Sequence, residues 1–399
     1  MRSWWREMSM MKWADVLTII SGKNQKEVSD PNGKYPIYGS GGIMGRATAY
    51  LCEAGTTIVG RKGTINRPIF VDEPFWNVDT AFGIQPSTEL LPKYLFYFCQ
   101  SFNFKSLDKS TTIPSLAKTD LLNIEMPVPP LPEQQRIVAR IEELFSQLDS
   151  GVETLRKAKQ QLVVYRQAVL KEAFVGKYSL HQPVKEELQW ANNKEIQMLP
   201  ELPAEWRYVS LSQLGDLGRG KSKHRPRNDA VLFENGKYPF IQTGDVKAAD
   251  RIITNFAKMY GEYGLQQSKL WPTGTLCITI AANIAETAFL GTDACFPDSV
   301  VGFTPYEYVS SEYVRYFIES QKLRLWAFAP ATAQKNINLD TLEKLIIPYC
   351  NLKEQKTVVA EIESRLTICD SIEQTVDAAL QQAEALRQSI LKQAFEGGI

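Results

Sequence analysis

Histidine, on which metal binding and acid–base catalysis often depend, is scarce in this sequence: the 399 residues include only His181 and His224. The six cysteines form no C-x-x-C pair, so the sequence offers no zinc site and we predict no metal ligands. Scattered single cysteines are typical of a reducing cytoplasm. Lysine plus arginine number 45, as do aspartate plus glutamate, so composition alone does not indicate a nucleic-acid partner and any basic surface must be local.

Long apolar runs are also missing. No stretch reaches membrane-spanning length, and the N-terminal MRSWWREMSMMKW lacks the apolar centre of a signal peptide. The apolar fraction of 44% and the charged fraction of 23% are ordinary for a globular protein. We therefore predict a cytoplasmic protein that does not bind a membrane.

Motifs of catalysis are absent with one exception. The sequence has no G-x-S-x-G, no H-E-x-x-H and no Asn/Asp-Pro-Pro-Tyr/Phe signature of an amino-methyltransferase. The segment 215–222, GDLGRGKS, fits the phosphate-binding pattern G-x-x-x-x-G-K-S. That loop requires a helix directly after it, and Pro226 opposes one. We predict no catalytic residues and no enzyme, and a nucleotide-binding P-loop protein stays open as an alternative.

A long amphipathic stretch, residues 131–177, stands out from the rest of the chain. Its apolar side chains recur at steps of four and three, which is the seam of a helix paired along its length with another helix. The main seam positions are Ile137, Ile141, Leu144, Leu148, Leu155, Leu162, Tyr165 and Val169.

Residues 352–398 repeat this stretch. When Leu131 is placed on Leu352, about 20 of 47 positions match without a gap. Arg365 breaks the second seam, where Leu144 predicts an apolar residue. Each helix would be about 60 Å long at 1.5 Å per residue. We expect the two helices to pack antiparallel, which would relate the halves of the chain by a pseudo-two-fold axis. The other seam positions of the second copy are Val358, Ile362, Cys369, Ile372, Val376, Ala379, Ala383, Leu386 and Ile390.

The organisation predicted from these repeats is α+β, with two globular segments alternating with two long helices. Its parts are a first globule (1–126), a first long helix (127–177), a linker (178–202), a second globule (203–347) and a second long helix (348–399). In the first globule we expect helices over 13–20 and 93–104, and strands at 35–38 and 56–59. The second globule repeats this order: KYPFIQTGDV parallels KYPIYGSGGI, Trp206–Leu214 parallels the Trp13 region, and 334–337 parallels 113–116.

Several loops combine cations with amides and hydroxyls. Five cations lie between Arg219 and Arg227, and Arg61-Lys62 lies between glycines; the alternative is an ordinary solvated loop. Phosphates are bound by Lys and Arg, and base edges by Arg, Asn, Gln and Thr. The candidate DNA-binding residues are Lys23, Asn24, Gln25, Lys26, Ser40, Arg61, Lys62, Thr64 and Asn66 in the first globule, and Arg219, Lys221, Lys223, His224, Arg225, Arg227, Gln242, Thr243, Asn283, Gln334 and Lys335 in the second.

Over essentially its whole length the chain resembles the specificity (S) subunit of a type I restriction–modification enzyme. The helix segments that resemble the family are PLPEQQRIVARIEELF with RQAVLKEAFVGK and LKEQKTVVAEIE with RQSILKQAF. The loops YPIYGSGGIMG, IVGRKGTINRP, GRGKSKHRP, YPFIQTGDV and ACFPDSVVGF resemble its target-recognition domains. One departure is that the first globule lacks the Leu-Pro-x-x-Trp motif found at 202–206.

The resemblance implies that each globule binds one half of a split double-stranded DNA target. The long helices would form a spacer and bind two modification (methyltransferase) subunits, with two restriction (translocase and nuclease) subunits joining them. S-adenosylmethionine, ATP and magnesium would then be bound by those partners and none by this chain. A helix of about 60 Å limits the separation of the globules to about 18 base pairs. A coiled-coil adaptor that does not bind DNA stays open as an alternative.

Overall fold

The structure, a computed structural model, describes residues 10–328 and 336–399. The chain forms two compact units: unit 1 comprises Met1–Ala158 with Thr375–Ile399, and unit 2 comprises Lys159–Gln374. The boundary falls inside both long helices, so each unit contains a globule and a segment of each helix. Both units are α+β, which confirms the predicted fold class.

Unit 1 consists mainly of short strands packed on helices. The elements in chain order are β1 (Met10–Lys12), α1 (Trp13–Val16), β2 (Leu17–Ser21), β3 (Tyr35–Gly39), β4 (Gly42–Ala47), β5 (Thr56–Gly60), β6 (Ile69–Val71), β7 (Trp76–Asn77), β8 (Ala81–Pro86), α2 (Pro92–Ser101), a 3-10 helix (Phe104–Leu107), α3 (Lys118–Leu122), β9 (Glu125–Pro127) and the long α4 (Leu131–Ala173). The main sheet has the order β2-β8-β5-β6 and is antiparallel throughout. A second sheet, β4-β3-β7, flanks it, and β1 pairs with β9.

Unit 2 has the same plan with additions. Its elements are α5 (Asn193–Ile196), β10 (Arg207–Ser210), a 3-10 helix (Leu211–Gln213), β11 (Gly215–Arg219), a 3-10 helix (Ala230–Leu232), β12 (Tyr238–Pro239), α6 (Thr243–Ala248), β13 (Ile252–Ile253), β14 (Met259–Tyr260), α7 (Glu262–Gln266), β15 (Leu276–Thr279), β16 (Thr287–Leu290), β17 (Val300–Pro305), α8 (Ser311–Ser320), α9 (Lys322–Phe328), α10 (Leu339–Glu343), β18 (Ile346–Tyr349) and the long α11 (Leu352–Phe395). The sheet β11-β17-β15-β16-β13 corresponds to the main sheet of unit 1, extended by β13 in parallel to β16.

The strand registers define the start of the repeat. Met10 pairs with Pro127 and Tyr208 with Pro348, which places Trp13 over Leu211, inside the Trp206–Leu214 segment predicted to parallel the Trp13 region. The predicted helix over 13–20 is wrong beyond Val16, because Leu17–Ser21 forms β2. Its burial alternates and it pairs with β8, a position that favours β-branched residues such as Ile19 over helix.

Buried glutamines fix the start of both long helices in the same way. Gln134 accepts a hydrogen bond from the Leu91 N–H (2.8 Å) and donates to the carbonyls of Glu89 and Pro129, each at 2.8 Å. In unit 2, Gln355 accepts from the Ser310 N–H and donates to the carbonyls of Tyr308 and Cys350. Both side chains are fully buried. Such an identical three-bond pattern confirms that the globules repeat in structure as well as in sequence.

Segments of the two long helices pair within each unit. In unit 1, Arg387 forms an ion pair with Asp149, and Arg136 donates to the carbonyl of Ile399. In unit 2, Arg166 binds Asp370 at 2.7 Å, and the Lys159 ammonium lies 3.5 Å from Glu373. In both units, the contacts move toward the N-terminus of α4 as they move toward the C-terminus of α11. The pairing is therefore antiparallel, as predicted.

The predicted apolar seam is only partly buried. Ile137, Ile141, Val358 and Ile362 are fully covered where the helices pack on their globules. Farther along, Cys369, Val376 and Ala383 are buried as predicted. The predicted seam residues Tyr165, Ile372 and Leu386 are instead 44%, 43% and 50% exposed, so the prediction is wrong at these positions. Two helices alone cover only a narrow stripe of each other, and a large side chain at the border of that stripe stays partly exposed.

Arg365 breaks the seam for a visible reason. Its guanidinium forms an ion pair with Glu361 at 2.6 Å and lies 5.0 Å from the ring centre of Tyr178. Tyr178 belongs to the predicted linker, which packs on the core of unit 2 through Val184, Leu188 and Leu202 as well. Among the described residues no helix is long and apolar enough to cross a membrane.

Candidate nucleic-acid interface

Several candidate residues of unit 1 meet at one edge of its main sheet, in a group of loops that we call tip 1 (22–26, 40–41, 60–66 and 111–116). Ser21 at the end of β2 pairs with Phe82, and Gly60 at the end of β5 pairs with Ala81, so the loops after both strands start side by side. Lys23 is tied to this edge because its N–H donates to the Asn77 carbonyl at 3.0 Å.

Two further loops complete tip 1. A Cβ added at Gly60 would lie 3.1 Å from Cβ of Ser40, so the 40–41 turn packs directly on the loop after β5. The loop 111–116 is joined by the Gly63 N–H, which donates to the Pro114 carbonyl at 2.9 Å, and by a β-bridge between Lys62 and Ser115. The fold therefore brings Lys23, Ser40 and the Arg61–Thr64 loop together.

The side chains of tip 1 differ in what they can offer a ligand. Lys62 and Thr64 are exposed, whereas Arg61 donates to the Asp79 carbonyl at 3.4 Å and lies over the ring of Phe82. The Asn66 side-chain oxygen accepts from the Phe104 N–H at 2.7 Å and so holds the 3-10 helix.

The 22–26 loop is more open than the rest of tip 1. Lys23, Asn24 and Lys26 are exposed and Gln25 is half-buried. The Asn24 side chain accepts from the Lys26 N–H at 3.0 Å, which leaves its amide NH₂ available.

The equivalent group in unit 2, tip 2, consists of residues 220–228, 281–286 and Asn336. Arg219, at the end of β11, donates to the Asp298 carbonyl through Nε (2.9 Å) and Nη2 (2.6 Å). Arg227 pairs with the Asp298 carboxylate at 2.8 Å. Arg225 donates to the carbonyls of Ser222 (2.5 Å) and His224 (2.8 Å). All three guanidinium groups thus brace the loop.

The two lysines of this loop are placed differently. Lys221 and Lys223 are exposed, and neither side chain forms an ion pair with any residue in the described ranges. They are the cations of tip 2 that are available to a phosphate.

His224 is a structural residue of tip 2. Its Nε2 lies 2.8 Å from Oδ2 of Asp229, and its ring meets Tyr263 edge-on. The hydrogen bond from His224, with a second from the Val231 N–H, lowers the pKa of the Asp229 carboxyl. The pair joins the basic loop to the 3-10 helix at Ala230–Leu232.

Gln242 and Thr243 do not lie at a loop tip, so this detail of the prediction is wrong. Thr243 is the first residue of α6 and Gln242 is its N-cap, in a capping box with Asp245. The Gln242 N–H donates to the Asp245 carboxylate at 2.7 Å. The N–H groups at the start of a helix need hydrogen-bond acceptors, and the Q-x-x-D arrangement supplies them. Residues 242 and 243 therefore form a helix start and not a loop.

Asn283 lies in a tight turn of tip 2. The flanking Ala282 and Ala285 have φ values of 62° and 61°, and the Lys247 ammonium lies 3.5 Å from Oδ1 of Asn283. Asn336 bridges to Ala281 as Ser115 bridges to Lys62, which confirms the predicted equivalence of these loops. The candidates Gln334 and Lys335 lie outside the described residues.

The apparent phosphate-binding motif does not form a P-loop. Gly215–Arg219 forms β11, and a Cβ added at Gly220 would lie 2.2 Å from the Phe296 carbonyl oxygen, so this glycine serves close packing. No helix follows Ser222 before the 3-10 turn at Ala230–Leu232. In the part of the chain that the structure describes, no group of three His, Cys, Asp or Glu side chains could hold a metal ion.

Sequence reasoning missed some residues of these tips. Asp79 and Asp298 occupy equivalent positions, and the main-chain carbonyl of each accepts from an arginine, Arg61 in unit 1 and Arg219 in unit 2. The matching segments NVDTAFG and FPDSVVG contain the signal for this equivalence. The prediction also missed Lys269, whose ammonium lies 3.6 Å from the ring centre of Trp271.

The family model described as "Type I restriction modification DNA specificity domain" matches residues 6–162 and 203–382. The chain belongs to this family. The type I restriction enzyme EcoBI specificity subunit of Escherichia coli is 25% identical over 354 residues, covering 85% of this chain and 73% of that protein. The EcoDI specificity subunit of the same species is 24% identical, covering 96% of this chain and 86% of that protein.

Two solved structures have the same fold as this type I specificity chain. One, from work on complex assembly and conformational transition of the type I R-M system, has a TM-score of 0.75 at 17% identity and covers 98% of both chains. The HsdS subunit from Thermoanaerobacter tengcongensis has a TM-score of 0.60 at 19% identity, covering 98% of this chain and 97% of that one.

Proposed function

We propose that this chain is the DNA-binding specificity subunit of a type I restriction–modification complex and that it reads an asymmetric, bipartite duplex target. Tip 1 would bind one half of the target and tip 2 the other. The observation that supports this most is the repeated framework of the tips: equivalent strands end in loops with different side chains, so two different half-sites are expected. Exposed lysines at both tips suit phosphate contacts, and nearby Ser, Thr, Asn and Gln suit base edges.

The chain itself would catalyse no reaction. We propose that S-adenosylmethionine is bound by two modification subunits and that ATP and magnesium are bound by two restriction subunits, for all of which this chain is the scaffold. The paired long helices, whose exposed apolar residues include Tyr165, Ile372 and Leu386, offer a surface for such partners.

Methylation-aware sequencing tests this function. The gene would be expressed with its modification partner in a host that lacks other DNA methyltransferases. We expect one methylated motif made of two different half-sites separated by a fixed, unspecified gap. A continuous motif, or methylation that does not change when this chain is omitted, would contradict the proposal.

A gel shift separates the proposal from a coiled-coil adaptor. The purified complex should bind a duplex that contains the motif more tightly than a scrambled duplex at equal salt. An adaptor would show no preference between the two duplexes.

A further inference from the structure

Three large apolar side chains are exposed in tip 1 and on the strand next to it. Ile43, Met44 and Ile113 are 66%, 63% and 62% exposed, and they are the three most exposed large hydrophobic residues among the described residues of unit 1. Single exposed hydrophobics are common, but a cluster at one site indicates a surface that a partner covers.

Ile113 belongs to tip 1, and the other two residues lie next to it. Ile43 and Met44 are on β4, directly after the 40–41 turn, which packs on the loop containing Arg61 and Lys62. Ile113 directly precedes Pro114, whose carbonyl accepts from the Gly63 N–H at 2.9 Å. The apolar side chains therefore share their surface with cations, a combination suited to a polyanion that also presents apolar groups.

A β-bulge turns Met44 outward. Ile37 pairs with Gly45 and Tyr38 with Ile43, so Met44 is an extra residue on β4. Consecutive side chains of a regular strand point to opposite faces, and the bulge instead allows Ile43 and Met44 both to be exposed. β4 is also an edge strand of the β4-β3-β7 sheet, so the β3–β4 hairpin is open on its β4 side, while β3 pairs with β7 at Ile37 and Tyr38.

Unit 2 lacks this arrangement. The residues equivalent to Ile43 and Met44 are Val246, which is 1% exposed, and Lys247, whose ammonium approaches Asn283. Helix α6 replaces the hairpin there. The apolar surface is therefore a property of one tip and not of the common framework.

We propose that Ile43 and Met44, with Ile113 beside them, contact thymine methyl groups in the major groove of the half-site read by unit 1. This inference rests on the proposed function. The major groove is wide enough to admit a helix or a pair of strands, so the unpaired β4 edge can approach the bases there, and the thymine 5-methyl is the apolar group exposed in that groove. Arg61 and Lys62 alongside would lie near the phosphates. It follows that this half-site contains at least one A·T pair whose thymine is contacted.

Deoxyuridine tests this directly, because it differs from thymidine only by the methyl group. The full-length chain in complex with its modification subunits would be titrated, by fluorescence anisotropy, with duplexes in which the thymines of one half-site are replaced. We expect affinity to fall about fourfold for each contacted methyl in one half-site. The double variant Ile43→Ser, Met44→Ser should bind the thymine duplex more weakly and no longer distinguish it from the deoxyuridine duplex.

Met10→Ser is the matched control. Met10 is 57% exposed in the same unit but belongs to the β1–β9 pair, so its replacement should leave the thymine preference intact. Unchanged melting temperatures of both variants would show that the fold is retained, as expected for exposed side chains.

Several outcomes would overturn the inference. These are specific binding that is insensitive to deoxyuridine in both half-sites, a thymine preference that persists in the double variant, or half-sites that contain no thymine. Loss of the modification subunits from the double variant on size exclusion would instead assign the surface to a protein partner. Absence of any sequence-specific binding by the wild-type complex would contradict the proposed function itself.

Discussion

At the scale of single residues, arginines and lysines of the two tips have different tasks. Arg219, Arg225 and Arg227 bind main-chain carbonyls or a carboxylate within their own unit, for which the planar guanidinium with five donors is well suited. Lys221 and Lys223 extend into solvent. Loop rigidity and phosphate binding are thus assigned to different cations that look equivalent in the sequence.

The double variant Lys221→Ala, Lys223→Ala should weaken DNA binding at every sequence by a similar factor. Two lost phosphate contacts should reduce the slope of log K against log salt concentration by about 2. Affinity measured from low to moderate salt checks this. Lys344→Ala, which removes a cation of α10 that pairs with Asp340, is the control and should leave the slope unchanged. An unaltered slope in the double variant would show that these lysines do not contact DNA.

Arg225 is one of the candidate DNA-binding residues of the sequence, and removal of its charge should weaken binding at every sequence if its guanidinium binds a phosphate. The structure gives a second reason for weaker DNA binding by Arg225→Ala. The substitution would remove the hydrogen bonds to the carbonyls of Ser222 and His224 and so loosen the loop. The lysine variants are therefore the cleaner measure of phosphate contacts in this loop.

Asp108 positions the loop that contains Ile113, and it does so as a carboxylate. Its Oδ1 accepts from the Ser110 hydroxyl (2.6 Å), the Ser110 N–H (3.0 Å) and the Ser115 N–H (3.1 Å). These bonds, the Ser110 hydroxyl first, lower the pKa of Asp108. Because the folded-state pKa lies below the unfolded value, the stabilisation is present above the unfolded pKa and is lost as pH falls through the folded one.

We therefore expect the Ser115 amide resonance to titrate with a midpoint below the ordinary pKa of aspartate. Asp108→Asn should abolish this titration and increase amide exchange in the 110–115 loop without unfolding the unit. A midpoint at or above the ordinary value would show that the carboxylate does not hold this loop.

At the scale of elements, the long helices begin where buried glutamines connect them to the globules. Helix propensity alone cannot set that point, since the preceding segments PVPPL and PYCNL match only at Pro127 with Pro348 and at Leu131 with Leu352. The shared Gln134 and Gln355 satisfy main-chain groups of α2 or α8 and of the segment before the helix. The start of each long helix is thereby joined to the segment that leads into α2 or α8.

Gln134→Ala should lower the free energy of unfolding of unit 1 by about 2–4 kcal/mol, because it leaves a buried N–H and two buried carbonyls without partners. Urea unfolding followed by fluorescence measures the loss. The neighbouring Gln135→Ala is the matched control, since Gln135 is exposed, and should change stability by less than about 0.5 kcal/mol. Equal effects of the two variants would contradict the role given to Gln134.

At the scale of the whole molecule, the long helices are the elements that belong to both units. The proposed function makes them the ruler that determines the gap between the two half-sites. The ion pairs Asp149–Arg387 and Arg166–Asp370 hold the helices antiparallel on either side of the unit boundary. A test of the ruler must therefore shorten both helices together and keep these pairs.

Deleting 152–158 from α4 and 376–382 from α11 removes one heptad from each helix. Seven residues span about 10 Å of helix, so the gap in the methylated motif should shorten by about three base pairs while both half-sites stay the same. Methylation-aware sequencing of a strain that expresses the variant measures the gap. A variant in which only exposed helix residues are replaced by alanine should keep the original spacing, and an unchanged gap after the deletions would reject the ruler.

The sequence by itself determined the architecture, because a 3.5-residue apolar repeat and a duplicated segment can be recognised without knowing the fold. It also predicted which loops would hold the candidate binding residues, since strands and turns have local signatures. The sequence-based prediction was wrong at Trp13–Ile20, because pairing with β8 makes a strand of most of an apolar stretch that looked helical. It was also wrong at Gln242, which caps the start of α6 instead of lying at a loop tip.

Only the tertiary structure decided which side chains are available. Whether an arginine braces its loop or extends into solvent depends on a carbonyl such as that of Asp298, 79 residues away in the chain. The outward position of Met44 depends on a bulge in the β3–β4 register, and the exposure of Tyr165 on how few elements cover the helix pair. These properties arise from contacts between distant segments, which local patterns do not encode.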